Sequence, residues 1–496
     1  MNKKLNLIFS SIPFYSGNPK AMYEYFLNNH PNKYNLIWHT DSEKDYQLYK
    51  NNKFNCIYRE NSNFYEIINT ADVFFTSHSQ LISEKKEYQI YVNLWHGVGI
   101  KKVGFMLNTS DFSKEDYDYY NMLRKKTNYI IVPSEFWKSI YCSTFNISTT
   151  NILTTGLPRT CFIDNSKHNL QKLLLPNYKS YNKIILYLPT FRNMNNKIEG
   201  SMNLNNIINL ITYDENLLFE FLENNNYLLI IKMHPLEKLQ NKITTHKNII
   251  YLSQEILNEH KLDINEIIAE TDLLISDYSS IYIEYLLTNK PILFLNTDID
   301  KYMQTRGLLF NNSHFWFPGP QVNNLVDFMS ETQKLLTDNS YFKYERNKFT
   351  DLMYNESTSI DCCSSLYQSI FTENYTINPA CFSSRNKEDL FEDTILSNNI
   401  TIENLKNQNN LLEDTILTSN ITLENSINSN NIVIEQLKNI IKLKVEELNS
   451  LNKDLTDLTL SLKNKNDEIT TIQNSRFWKI SKFYNNLKYK FKKLKK

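Results

Sequence analysis

The chain has 496 residues, enough for two domains that each bury a core and for an additional segment. Lysine plus arginine and aspartate plus glutamate balance at 54 each, so no overall field indicates nucleic acid as a partner. The six cysteines have no metal-ligand spacing, and the adjacent Cys362 and Cys363 are a poor framework for disulfides. We therefore expect reduced thiols in a cytosolic protein.

The N-terminal residues carry two lysines but an apolar run of only five residues, which predicts a first strand rather than a signal peptide. No apolar run approaches the roughly 18 residues that span a bilayer, so we expect no membrane-spanning helix.

Short apolar runs alternate with amphipathic stretches through the first 330 residues. This alternation predicts α/β halves with parallel sheets covered on both faces. Residues 167–182 are interpreted as the passage between two such halves. The predicted strands are 5–9, 34–39, 72–77, 88–95, 128–132, 151–155, 183–188, 227–233, 248–252, 272–276 and 291–295, and examples of predicted helices are 20–28 and 278–288.

One predicted strand runs into NLWHGVGIKKVG, residues 93–104. His96 stands at the end of this strand, and Gly97 lets the backbone turn and approach a ligand closely. Lys101 and Lys102 follow within reach of that turn. A histidine at the carboxyl end of a buried strand, beside glycines and lysines, is where α/β proteins place chemistry on anions. Alone, His96 is interpreted equally well as a core histidine.

A second predicted strand, in NYLLIIKMHP at 226–235, also ends in a lysine and a histidine, Lys232 and His234. A single His-Pro at a strand end is most simply a turn. Two such endings more than a hundred residues apart favour two half-domains that face one cleft.

The run TDLLISDYSSIYIEYLL, residues 271–287, predicts a buried strand, a polar turn and a helix. Asp277, Ser279 and Ser280 occupy the turn or the first helical positions, where hydroxyls cap free amides and an anion can bind. Ordinary capping explains one serine. It explains less well two serines beside an acid, with Glu284 one turn further on.

Together these segments resemble the CDP-glycerol glycerophosphotransferases, the teichoic-acid polymerase and primase family that also includes ribitol-phosphate transferases and capsule polymerases. Eight blocks over about residues 15–330 occur in the family's order: NPKAMYEYF at 18–26, NLWHGVGIKKVG at 93–104, GLPR at 156–159 followed by Asp164, YLPTFR at 187–192, KMHP at 232–235, SDYSSIYIEYLLTNKPILF at 276–294, RGLLF at 306–310 and PGP at 318–320. Val98 and Ile100 depart from the residues expected in the second block, which leaves the polyol of the donor open.

The resemblance implies a GT-B architecture, two doubly wound domains facing a cleft, and transfer of glycerol or ribitol phosphate from a CDP-alcohol to a hydroxyl of a cell-envelope glycan or polymer. The acceptor hydroxyl would attack the β-phosphate in line and release CMP. His96 is expected as the general base and His234 as the group that stabilises the pyrophosphate or protonates the leaving phosphate, with the two roles interchangeable.

The remaining expected site residues fall into two groups. Expected to bind the donor and its phosphates are Thr190, Arg192, Lys232, Asp277, Ser279, Ser280, Arg306, Gly307 and, on a ribose hydroxyl, Glu284. Expected on the acceptor side or in the cleft are Asn18, Lys20, Trp95, Gly97, Lys101, Lys102 and Arg159. Asp298 and Asp300 have the spacing of an Asp-x-Asp metal motif but fall in a loop. The sequence therefore favours a metal-independent reaction and leaves room for Mg²⁺.

Two alternatives stay open. A GT-B enzyme with two strand-end histidines could instead move a sugar from a nucleotide-sugar donor, with attack at the anomeric carbon. The α/β body could also be a non-catalytic binder within a membrane-associated scaffold.

From about Lys387 the chain changes character. Residues 391–411 and 412–432 begin with the similar stretches FEDTILSNNITIENL and LEDTILTSNITLENS, a repeat of 21 residues or three heptads. Leucine or isoleucine then recurs every seven residues, at Leu448, Leu455, Leu462 and Ile469, with Leu451, Leu458 and Ile472 offset by three. This seam predicts a coiled coil, and hence a homo-oligomer, over 440–473. For 390–430 a polar spacer is an equal alternative.

The last segment is basic and aromatic. From residue 469 to the end there are nine basic residues and no acidic one, which leaves the rest of the chain with 45 basic against 54 acidic residues. Aromatic side chains interleaved with cations suit an anionic membrane surface. We therefore expect a peripheral enzyme on the inner face of the cell membrane, and a solvated charged end with no partner is the alternative. The predicted domains are 1–170 (acceptor side), 181–375 (CDP-donor side), 386–474 (helical) and 475–496 (membrane-surface tail).

Overall fold

A computed structural model of the chain describes residues 4–50, 54–107, 112–165, 169–174, 180–190, 193–194, 197–198, 206–232, 246–305, 307–309, 316–354 and 361–378, with separate positions between 442 and 471. The chain divides into two units, Met1–Ser384 and Arg385–Lys496.

The first unit contains two parallel sheets. Strands of the first sheet are β1 (Asn6–Ser10), β2 (Asn35–Thr40), β3 (Cys56–Tyr58), β4 (Val73–Thr76), β5 (Ile90–Asn93), β6 (Tyr129–Ile131) and β7 (Ile152–Leu153), in the order β3-β2-β1-β4-β5-β6-β7. After them come β8 (Lys183–Leu188), the short antiparallel pair β9 (Asn193–Met194) and β10 (Lys197–Ile198), β11 (Tyr227–Ile231), β12 (Ile249–Tyr251), β13 (Leu273–Ser276) and β14 (Ile292–Phe294), with the second sheet ordered β12-β11-β8-β13-β14.

Helices occupy most of the connections between these strands. They are α1 (Gly17–Asn29), α2 (Glu43–Lys50), α3 (Phe64–Asn69), α4 (Lys114–Lys126), α5 (Glu135–Phe145), α6 (Cys161–Asn165), α7 (Asn169–Leu174), α8 (Glu215–Asn225), α9 (Gln254–Glu259), α10 (Asn265–Ile268), α11 (Ile281–Tyr285), α12 (Ile299–Thr305), α13 (Leu325–Thr337), α14 (Lys343–Tyr354) and α15 (Cys362–Ile370).

All eleven strands predicted from the apolar runs are present, each within two residues of the predicted ends. The prediction missed β3 and the two-residue strands β9 and β10, because such short segments give no apolar run; in β3 only Ile57 is fully buried. The helix predicted at 278–288 begins later, as α11, because residues 277–280 form the turn that follows β13.

Successive residues of a strand point to opposite faces, so each sheet contributes to two cores. In the first sheet Leu7 and Phe9 face one core, whereas Ile8 belongs to another. This second core also contains Leu186 and Leu274 from the second sheet, so one apolar core is continuous across both sheets. A fully buried leucine or isoleucine contributes about 1.5–3 kcal/mol, and the shared core therefore holds the two halves together.

Helix α15 packs on the first half, although the predicted boundaries assigned it to the second. Leu366 and Ile370 share a core with Phe26 of α1, and the hydroxyl oxygens of Tyr34 and Tyr367 are 3.0 Å apart. The chain thus returns to the first half after α14. The amphipathic pattern of a helix shows which face is buried but not which sheet covers it.

In the second unit the described positions between 442 and 471 are helical and exposed. The seven predicted seam positions, the 21-residue repeat and the tail at 475–496 lie outside the described residues, so the coiled coil stays a prediction. Within the part of the chain that the structure describes, no helix is long and apolar enough to cross a bilayer.

We expect Gly104→Ala to destabilise the fold more than Gly17→Ala. Both glycines have a φ of +61°, so the left-handed strain that a Cβ adds, about 1–2 kcal/mol, is common to both variants. A Cβ at Gly104 would lie 2.1 Å from the carbonyl oxygen of Thr144, whereas the nearest atom at Gly17 is Pro19 Cδ at 3.9 Å. Overpacking should therefore cost roughly 1–3 kcal/mol more at Gly104. Denaturant unfolding measures the difference, and equal midpoints would contradict this packing.

Candidate active site

The turn after β5 is strained and is held by hydrogen bonds. Trp95 has a φ of +50°, a left-handed conformation that costs a bulky residue about 1–2 kcal/mol. Asn93 Oδ1 accepts the Trp95 backbone N–H at 2.9 Å. Asn18 Nδ2 donates to the carbonyl oxygens of Leu94 and Trp95 at 2.9 and 3.2 Å. The turn buries its neighbours and leaves the side chain of His96 exposed.

The imidazole of His96 lies against two aromatic rings. It stacks on His78 with ring centroids 4.2 Å apart and an interplanar angle of 9°, and the Trp95 ring lies 4.4 Å away. Although the side chain reaches solvent, desolvation by the surrounding protein lowers the pKa of the imidazole well below its usual value. The nearby His78, Arg159 and Lys101 lower this pKa further. His96 is therefore neutral near pH 7 and can accept a proton.

Lys101 and Lys102 connect the His96 loop to the second half. Lys101 Nζ lies 3.4 Å from Thr190 Oγ1, over the rings of Tyr278 and Tyr302 at 5.7 and 5.6 Å from their centroids. The Lys102 backbone N–H donates to the carbonyl oxygen of Gly307 at 3.2 Å, beside a bridge between residues 101 and 308. Two expected donor-side residues, Thr190 and Gly307, are thus brought to this loop.

Asp277 organises the turn after β13. Its carboxylate accepts the backbone N–H of Thr190 at 3.0 Å, the Thr190 hydroxyl at 2.6 Å and the backbone N–H of Ser279 at 3.0 Å. Asp277 itself is buried, whereas Ser279 and Ser280 are partly exposed. A Cβ on Gly99 would lie 3.4 Å from Ser280 Cβ, so the serine turn and the His96 loop are in contact.

Glu284 occupies a different place from the one expected for a ribose ligand. It is fully buried, and its carboxylate accepts a hydrogen bond from the Arg159 guanidinium, which is itself largely buried. The pair joins the two halves directly beneath Gly97, where an added Cβ would collide with the Arg159 side chain. In this arrangement Glu284 and Arg159 support the His96 loop rather than face a ligand.

Asn18 and Lys20 also differ from the expectation that they line the acceptor side. Both are buried, with 0% and 1% of their surface exposed. Besides holding the turn after β5, Asn18 accepts the backbone N–H of Arg159 at 3.0 Å. Lys20 pairs with Glu266 and donates to the carbonyl oxygen of Lys261 at 2.7 Å, both in the second half. Asn18 thus supports the turn after β5 within the first half, and Lys20 joins the first half to the second.

Lys232 follows β11 and is partly buried, and burial lowers the pKa of its ammonium group, which Asp263 and Glu255 partly offset. His234, Arg192 and Arg306 lie outside the described residues, and their roles stay predictions.

Sequence reasoning missed His78, Ser77, Asn93 and Tyr141. The Tyr141 hydroxyl donates to the carbonyl oxygen of Gly97 at 3.1 Å, a contact that the helix pattern of α5 does not signal. His78 could have been found, since it ends the apolar run VFFTSH much as His96 ends its own.

Asp298, the first acid of the Asp-x-Asp spelling, accepts the hydroxyl of Tyr278 at 2.9 Å and is buried. Among the described residues, no three histidine, cysteine, aspartate or glutamate side chains are grouped to hold a metal ion.

One cavity, of about 1100 Å³, lies between α1, the turn at 156–162 and helices α14 and α15. Its described lining includes Glu24, Glu266, Asp351 and Asp361 but no lysine or arginine. An acidic lining of this kind does not suit a nucleotide diphosphate, so the cavity is distinct from the His96 site.

Comparison with known proteins agrees with these features. The model of a family described as CDP-glycerol:poly(glycerophosphate) glycerophosphotransferase matches residues 1–371. The chain is 29% identical over 333 residues to the teichoic acid poly(glycerol phosphate) polymerase of Bacillus spizizenii, covering 64% of this chain and 80% of that protein. It is 25% identical over 345 residues to the teichoic acid glycerol-phosphate transferase of Staphylococcus aureus, covering 66% and 83%.

Among solved structures, the wall teichoic acid polymerase TagF has a similar fold, with a TM-score of 0.59, 23% identity and coverage of 74% of this chain and 88% of that one. The family match covers both sheets and the His96 loop between them. The chain is a transferase that belongs to the CDP-glycerol:poly(glycerophosphate) glycerophosphotransferase family.

Proposed function

We propose that this enzyme transfers glycerol or ribitol phosphate from a CDP-alcohol to a hydroxyl of a cell-envelope glycan or a growing teichoic-acid or capsule polymer, and releases CMP. One observation carries the proposal. The loop that holds the neutral, exposed His96 follows the first sheet, and it contacts the partly exposed turn of Ser279 and Ser280, which follows the second sheet. A base for a hydroxyl thus lies near polar groups suited to phosphate.

His96 takes the proton of the attacking hydroxyl. Phosphoryl transfer depends on positioning and charge neutralisation more than on covalent catalysis. Lys101, held near Thr190, supplies positive charge beside His96. Ser279 and Ser280 lie on the partly exposed turn, and their hydroxyls bind phosphate oxygens in this proposal. His234, Lys232, Arg192 and Arg306 complete the donor side in this proposal, and Mg²⁺ could assist without a dedicated protein cage.

In the wider proposal the two halves form a GT-B enzyme, the C-terminal helix oligomerises as a coiled coil, and residues 476–496 bind the inner face of the cell membrane. The chain is also 31% identical over 243 residues to the teichoic acid poly(ribitol-phosphate) polymerase of Bacillus spizizenii, covering 46% of this chain and 35% of that protein. Together with the match to a poly(glycerol phosphate) polymerase, this similarity supports a polyol-phosphate donor and leaves the polyol open.

The function is tested by nucleotide release. Purified full-length protein is incubated with CDP-glycerol, CDP-ribitol, UDP-N-acetylglucosamine and CMP-sialic acid, each with and without a polyol-phosphate primer and Mg²⁺. We expect primer-dependent CMP from at least one CDP-alcohol. Turnover of only a sugar donor would instead establish a glycosyltransferase, and turnover of none would favour the non-catalytic scaffold.

We expect His96→Asn to lower kcat for CMP release by about 10²–10⁴-fold with a smaller change in KM, because the base is lost. His246→Asn is the matched control, since His246 stacks on Phe219 at 4.2 Å beside β12, the edge strand of the second sheet, whereas β5 belongs to the first. Because the pKa of His96 lies below its usual value, the base stays unprotonated as the pH falls through 6.5. The wild-type kcat/KM should therefore stay constant through pH 6.5 and decline only below it. A decline centred at or above pH 6.5 would be inconsistent with His96 as base.

We expect replacement of Lys488, Lys490, Lys492 and Lys493 by glutamine to release the enzyme from vesicles rich in phosphatidylglycerol. Each cation near such a surface contributes roughly 1 kcal/mol, so the four together contribute at most about 4 kcal/mol. Sedimentation with vesicles measures binding, and replacement of four lysines in the first half (33, 44, 86 and 125) is the control. If the tail variant sediments with vesicles as the wild type does, the proposal that the tail binds the membrane is wrong.

A further inference from the structure

Ser77 and His78 immediately follow β4, whose neighbour β5 leads into the His96 turn. Parallel strands bring their carboxyl ends to one edge, so the two histidines meet there. Their rings are nearly parallel and 4.2 Å apart, with His78 partly buried and His96 exposed.

Hydrogen bonding determines the tautomer of His78. Its backbone N–H donates to Gln80 Oε1 at 2.9 Å, which orients the amide so that Gln80 Nε2 donates to Ser77 Oγ at 3.3 Å. Ser77 Oγ also accepts the Ile12 backbone N–H at 3.1 Å. Both lone pairs of this oxygen are then used, so its proton goes to His78 Nδ1, 2.8 Å away. His78 is therefore neutral, with its proton on Nε2.

The Ser77 backbone also acts on the His96 ring, and it raises the pKa of the imidazole against the larger lowering effect of burial. A carbonyl oxygen has this effect because it favours a ring N–H, and the Ser77 N–H is already bonded to the Ser10 carbonyl oxygen. The Ser77 carbonyl therefore favours a proton on the His96 nitrogen nearest to it, which leaves the other nitrogen as an acceptor.

We propose that Ser77 and His78 are positioning residues, which hold His96 in one orientation and one neutral tautomer so that its second nitrogen can take the proton of the acceptor hydroxyl. This inference deepens the proposed function and rests on it. It is independent of the family blocks, since neither residue belongs to them.

Burial lowers the pKa of His96 most, and His78, Arg159 and Lys101 lower it further, whereas the Ser77 backbone raises it. Glu284, which lies beside Gly97, is engaged by Arg159. Burial lowers the pKa of His78 to about 4, so this ring does not titrate in the working range. A protonated His78 would also carry a proton on Nδ1. That proton would point at Ser77 Oγ, whose own proton is donated to Nδ1 in the neutral ring. The stack therefore presents a fixed neutral ring to His96.

The test compares His78→Ala with His78→Phe, and with His246→Phe as a stacking control outside the site. His78→Ala removes the supporting ring, and we expect kcat to fall about tenfold with little change in KM, because an oriented base is lost. His78→Phe keeps a stacked ring, so the high-pH plateau should stay within about threefold of wild type. In both variants the acid limb of kcat/KM should move up by about one pH unit, since water or a π face favours the imidazolium.

A second readout does not require activity. Histidine-labelled wild type and variants are titrated by NMR, and the His96 resonance, assigned by its loss in His96→Asn, should titrate at higher pH in both His78 variants than in wild type. An unchanged His96 titration in a folded variant would overturn the positioning role. Absence of CMP release from wild type would sink the proposed function instead, while the NMR result would still decide whether His78 controls His96.

Discussion

The buried ion pair between Arg159 and Glu284 is the interaction on which the site depends. It crosses from the first half to the second, lies beneath Gly97, and shares Arg159 with Asn18, which in turn holds the strained Trp95. Removing one partner of such a pair leaves an uncompensated buried charge, at a typical cost of about 3–5 kcal/mol. The pair therefore specifies how the two halves meet, and the orientation of the histidine loop follows from it.

Around this pair, other polar residues also connect the two halves. Gly17 donates its backbone N–H to Asp263 at 2.7 Å, Lys20 pairs with Glu266, and residues 100–102 bond to 307–309. Several residues that look like ligand-binding candidates bind protein groups instead, because a buried charge or amide must be paired inside the protein. The side chains left exposed, such as His96 and the serines after Asp277, are the ones available for chemistry.

Much of the fold could be predicted because apolar runs identify buried parallel strands, and all eleven predicted strands are present. The juxtaposition of the His96 loop with the serine turn could also be anticipated, since both follow strands of parallel sheets. The roles of Asn18, Lys20 and Glu284 could not be predicted, because a motif records residue types in order but not which neighbouring group in the fold hydrogen-bonds to each one. His78 was overlooked although it satisfies the same strand-end criterion as His96.

The return of α15 to the first half has a mechanical consequence. The chain passes from the first half to the second near residues 165–182 and comes back between α14 and α15, so two covalent connections join them. A hinge made of two connections permits rotation mainly about the line through both, whereas a single linker would also allow the halves to separate or twist. Any opening that admits substrate should therefore be a one-axis rocking motion, and its cost is the loss of the contacts farthest from that axis.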